Sequence, residues 1–100
     1  MREPDTDETL MLRYQSGDAA AFDVLYARHK SGLYRFMLRQ CRGEATVDEL
    51  FQEVWMNVIQ AAPRYRPEAQ FRTWLFTLAH HRMIDHFRRH ARAEAVLYEA

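Results

Sequence analysis

The sequence predicts an all-α domain of four helices. Three observations carry that expectation. Apolar residues recur at steps of three and four in four stretches. No stretch sustains the period-two alternation of a strand. Glycine or proline punctuates the chain where one stretch gives way to the next. One hundred residues make one domain, and 48% apolar content suffices for one modest core.

Asp5 and Glu8 have the spacing of a capping box, and Leu10, Met11 and Tyr14 follow it at helical intervals. Gly17 ends this short helix and Asp18 caps the next. Phe22, Leu25, Tyr26, His29, Leu33, Phe36, Met37 and Gln40 then form one stripe, predicting a long amphipathic helix that ends near Gly43. Thr46 and Glu49 form a second capping box, opening a helix with Val47, Leu50, Phe51, Val54, Val58 and Ala61 inward. Pro63 stops it. Residues 63–70 read as a loop pinned by Pro63 and Pro67. The last helix runs from about Phe71 to at least His90, with residues 91–100 open between helix and linker. Its apolar stripe changes face, from Phe71, Trp74, Leu75 and Leu78 to Phe76, Met83, Ile84 and Phe87.

Fourteen basic and 14 acidic side chains cancel, so net charge alone names no nucleic-acid or membrane partner. Their distribution is less even. Residues 1–30 carry −2, residues 31–60 carry −1 and residues 61–100 carry +3. An acidic first half and a basic second half suggest two faces for two partners. Thirteen of the basic residues are Arg, and Lys30 is the single Lys. Arg suits bidentate and stacked contacts. Cys41 is the only cysteine, which excludes an internal disulfide and fits a reducing compartment. No apolar run approaches the ~20 residues that span a bilayer, and the acidic start is no signal peptide. A cytoplasmic domain without membrane insertion is expected.

Four fragments occur in one order: Gly17-Asp18 with Ala21-Phe22, then Asp48-Glu49-Leu50-Phe51-Gln52-Glu53-Val54-Trp55, then Phe71-Arg72-Thr73-Trp74-Leu75, and Ile84-Asp85-His86-Phe87-Arg88-Arg89. Together they resemble domain two of bacterial RNA polymerase sigma factors of the extracytoplasmic-function (ECF) group, over about residues 8–92. The resemblance implies a four-helix bundle that docks on the β′ clamp helices of core RNA polymerase, then recognises and melts the promoter −10 element. It assigns residues 1–92 to domain two, and 93–100 to a helix end or a linker toward a helix-turn-helix domain. It also implies an anti-sigma factor as a partner. The competing expectation is a helical interaction domain bound mainly by such a regulator.

By the resemblance, Asp48, Glu49, Gln52 and Glu53 face basic residues of the clamp helices, with Trp55 and Met56 as an apolar anchor beside them. Acidic residues in a first turn also suit the helix dipole, which would by itself account for Asp48 and Glu49. The nucleic-acid side is the loop and the last helix. Arg64, Tyr65, Arg66, Gln70 and Arg72 mix cations, an amide and an aromatic ring, a combination suited to unstacked single-stranded bases. Tyr65 is expected to stack outside the core, whereas Phe71 and Trp74 are expected inside it. Arg82, Asp85, Arg88, Arg89 and Arg92 share one face of the last helix. His81 stands where the family commonly has Asn, which alters hydrogen bonding toward the promoter.

His86 and His90 lie one turn apart with Asp85 near, but Arg88 and Arg89 would repel a cation, so no metal is expected. No nucleophile–base pair, phosphate loop or carboxylate dyad stands out. The sequence therefore points away from an enzyme and calls for no cofactor.

Overall fold

The computed structural model describes residues 4–99. Four helices follow in order: α1 (Asp7–Gln15), α2 (Ala19–Gln40), α3 (Glu44–Ala61) and α4 (Phe71–Glu99), with a 3₁₀ turn at Ala62–Arg64. There is no strand among the described residues, and the expected all-α class holds. The core gathers Leu10 and Met11 of α1, Leu25, Leu33 and Met37 of α2, Val47, Val54 and Val58 of α3, and Phe71, Leu75 and Met83 of α4.

The helix starts follow local chemistry that the sequence only partly displays. Thr6, rather than Asp5, caps α1, its hydroxyl accepting the Thr9 N–H at 3.1 Å. Asp5 pairs instead with Arg13, which also holds Asp18 at 2.6 Å. Asp18 caps α2 as expected, accepting from the Ala20 N–H. The α3 start differs: the helix begins at Glu44, two residues ahead of Thr46. Gly43 turns the chain there at φ 90, in the left-handed region that glycine enters without Cβ strain.

A nine-residue helix such as α1 is marginal alone, so tertiary bonds must hold it. Asp7 accepts from His29 Nε2 at 2.8 Å and from Arg28 at 3.1 Å, both on α2. Glu8 reaches across to α4 and accepts the Phe71 N–H at 2.8 Å. Gln15 donates its amide to the carbonyls of Ala62 and Tyr65, both at 2.7 Å. α1 is thus a polar clasp over the ends of α3 and α4.

In α4 the buried residues are Phe71, Leu75, Ala79 and Met83, one stripe at steps of four. Each step of four overshoots a full turn by about 40°. The stripe therefore winds slowly around the helix, and Phe87, the next step, is 44% exposed. The change of face read from the sequence is this continuous drift rather than a switch. Residues 91–95, undecided in the sequence, are helical and exposed, and α4 continues to Glu99. This projecting end accounts for the elongated shape, 63 × 24 × 21 Å.

Candidate functional site

α3 turns Val47, Leu50, Val54 and Val58 into the bundle, which leaves Asp48, Glu49, Gln52 and Met56 exposed along its outer side. Because α3 starts at Glu44, Asp48 and Glu49 stand beyond the first turn, so capping does not explain them. The Tyr34 hydroxyl donates to Asp48 at 2.6 Å, fixing that carboxylate against α2. This bond, with burial behind it, pushes the Tyr34 phenol up to about 12. Met56 is 53% exposed, as an anchor would need to be.

Two of the residues expected on this face lie elsewhere. Trp55 is buried, its ring 5.0 Å from Tyr26 and 5.9 Å from Phe22, so it cannot serve as a surface anchor. Helical spacing carries the signal for this: Phe51, Trp55 and Val58 continue the inward arc at i, i+4 and i+7. Glu53 is half-buried, with its carboxylate 3.4 Å from Arg82 on α4. The pair makes no hydrogen bond, and Glu53 Oε2 and Arg82 Nε are buried without other partners. Nothing in the local sequence announces this contact, because both residues resemble solvated helix positions.

The loop brings a larger correction. Tyr65 is buried, packing against Trp74 at 5.1 Å and Phe71 at 6.3 Å, with its hydroxyl donating to the Ala69 carbonyl at 2.6 Å. Burial, then the carboxylates of Glu8, Asp7 and Glu68, push its phenol up to about 12. The ring closes the end of the bundle and is not free to stack on a base. Phe71 is fully buried and Trp74 partly so, both against the core as expected. With Tyr65 inside, Arg64, Arg66, Gln70 and Arg72 are exposed in this segment, beside Glu68 and the two prolines, and His81 is exposed further along α4.

The second half of α4 gathers the basic residues into a cleft of about 340 Å³ lined by Arg82, Asp85, Arg88, Arg89 and Arg92. Arg89 also faces the α3–α4 groove, where Glu49 and Glu53 meet His86 and His90. Burial, with His90 and Arg89 adding to it, holds the His86 imidazole below its ordinary value. The rings of His86 and His90 stand 4.2 Å apart. Among the described residues no three His, Cys, Asp or Glu side chains converge as a metal site would require.

Residues 25–93 match the Sigma-70 region 2 family. The chain belongs to that family. As a region 2 of the ECF group it is 35% identical over 85 residues to the ECF RNA polymerase sigma factor SigK of Mycobacterium sp. strain KMS, covering 83% of this chain and 44% of SigK. An engineered region 2 of sigmaE, solved in complex with GTAAAA, superposes with a TM-score of 0.81 at 26% identity, covering 93% of this chain and 97% of that one. CnrH, solved in complex with the cytosolic domain of CnrY, superposes with a TM-score of 0.75 at 34% identity, covering 90% and 60%. The chain spans about half the length, or less, of the curated relatives it matches.

Seen as a sigma region 2, the structure also exposes a residue that the sequence alone did not single out. Ile59, 39% exposed, follows Met56 by three residues and extends the apolar strip of α3. Its place in the apolar pair Val58-Ile59 hid it, since only Val58 points inward. No described helix is long and apolar enough to cross a membrane.

Proposed function

We propose that this region 2 docks on core RNA polymerase through the outer side of α3 and holds the promoter −10 element on α4 and the loop before it, opening the duplex there. The observation that carries the reading is the presence of two unlike faces on one bundle, adjoining along the α3–α4 groove. One is the exposed line of Asp48, Glu49, Gln52 and Met56. The other is the Arg-lined cleft of α4. The likeness to a region 2 solved with GTAAAA supports the nucleic-acid half. Arg72 and Arg88 lie about 24 Å apart at 1.5 Å per residue, roughly seven stacked nucleotides at 3.4 Å each.

On the polymerase side, carboxylates and an amide would accept from basic clamp-helix residues, with Met56 supplying apolar area. On the DNA side, Arg64, Arg66, Gln70 and Arg72 would engage the unpaired strand at the loop, and His81, Arg82, Asp85, Arg88 and Arg89 would continue along α4. Extruding a base costs a few kcal/mol. With Tyr65 in the core, guanidinium planes and edge hydrogen bonds must return that cost. The likeness to CnrH with its CnrY partner supports an anti-sigma factor as a competing occupant. No reaction is assigned to the chain, and no cofactor enters the proposal.

Capture of purified core polymerase tests the first half. Glu49→Ala with Gln52→Ala removes two exposed groups and should leave helicity intact. Truncating charged partners at an interface costs roughly 2–5 kcal/mol, a 30-fold or greater loss of capture. Full capture by the folded double variant would sink the docking face.

A further inference from the structure

Resting on the strand-binding reading above, we propose that the strand has a second track, on α2: the groove between α2 and α4 floored by Phe36 and Phe76 and edged by Arg35, Arg39 and Arg72 is a binding site for single-stranded nucleic acid. Two adjoining hollows of about 310 and 440 Å³ form it, sharing Phe36, Arg72 and Phe76. The two phenyl rings stand 5.1 Å apart, and the Arg72 guanidinium lies 4.6 Å over Phe76. A guanidinium stacked in this way keeps its N–H edge for a phosphate while its plane and the rings offer apolar faces to bases.

Charge selects the occupant. In a chain of zero net charge, no carboxylate lines either hollow. Arg35, Arg39 and Arg72 make no ion pair among the described residues, unlike Arg13, Arg28 and Arg82. Cations alternating with aromatic faces match a phosphodiester strand better than an acidic peptide, which would leave the rings unused. The groove also adjoins the proposed loop surface through Arg72.

Gly32 is an independent observation. It sits inside α2 on the wall of the groove, where glycine weakens a helix relative to alanine. A Cβ built there would meet no atom within 4 Å, so packing does not demand glycine. Its bare backbone keeps the groove open for a close approach, a use that accounts for its cost.

The test is binding of a labelled single-stranded oligonucleotide to the whole chain across a salt series, with four proteins. Arg35→Ala/Arg39→Ala should flatten the dependence of log K on log salt by about 0.7 for each lost phosphate contact. Gly32→Gln should raise the melting temperature by about 2–4 °C, because glutamine is a better helix former. It should weaken binding several-fold without changing the slope. Arg88→Ala/Arg89→Ala reports on the α4 cleft alone. A lowered slope in that variant, beside wild-type binding in the other two, would overturn the α2 track and leave the α4 reading standing. No binding by the wild type at low salt would remove both. Equal competition by polyglutamate of matched charge would also overturn the assignment, since the groove would then be reading charge without bases.

Discussion

Tyr65 illustrates how one side chain decides between a surface and a core. Flanked by Arg64 and Arg66 in a proline-bounded loop, it reads as an exposed ring, yet it fills the space above Phe71 and Trp74. Tyr65→Ala should therefore cost about 3–5 kcal/mol in denaturant unfolding, the range for buried aromatics. Tyr65→Phe, which loses only the bond to Ala69, should cost about 0.5–1.5 kcal/mol. A cost below 1 kcal/mol for the alanine variant would return the ring to solvent. The phenol adds a pH dependence. The unfolded chain releases this proton near pH 10, while the folded chain keeps it to about 12. Its contribution is complete below pH 10 and lost as pH rises toward 12. Tyr34 titrates in the same window. Tyr65→Phe should thus shrink, without abolishing, the fall in stability over pH 10–12, read by denaturant midpoint at each pH.

At the scale of elements, Glu8 acts as a cap supplied from another helix. The first N–H groups of α4 have no partners within the helix, and the Glu8 carboxylate answers the one on Phe71. Glu8→Ala should cost about 0.5–2 kcal/mol, as loss of a side-chain cap does. Glu8→Gln, which keeps an acceptor but not the charge at a helix N-terminus, should cost about 0.3–1 kcal/mol. Equal costs for the two would show that charge, rather than the hydrogen bond, does the work. The periodic helices were legible in sequence because burial at steps of three and four writes itself into residue type. Phe71 was legible because it heads such a stripe. Glu8, Gln15 and the Glu53–Arg82 contact were not, because a polar residue that bonds to a distant segment looks the same as one that faces water. Gly43 hid the true start of α3, since Thr46 and Glu49 offered a better-known signature nearby.

Across the whole molecule, the two proposed faces meet where Arg82 approaches Glu53. Both side chains are about one-third exposed and make no mutual hydrogen bond, so their attraction is modest. A double-mutant cycle with Glu53→Gln and Arg82→Gln should return about 0–1 kcal/mol of coupling. That value should fall further at high salt. A coupling above 2 kcal/mol would mark the pair as a main tie between α3 and α4. The candidate faces themselves were legible as an acidic and a basic segment. Their membership needed the fold, because only packing could withdraw Trp55, Tyr65 and part of Glu53 from the surface.

The clasp made by α1 has a consequence in time. Its partners on the loop and α4 lie 47 to 63 positions further along the chain. At ~5–20 residues per second, a ribosome needs roughly 3–12 s to make that intervening length. Throughout that interval the first helix has only its contacts with α2, through Arg28 and His29, and lacks the rest of its clasp, which leaves it more open to chaperones and proteases. A nascent chain halted before residue 62 should be cut within its first fifteen residues by a protease that spares the finished domain. Resistance at that length would mean that α2 alone secures the N-terminal helix.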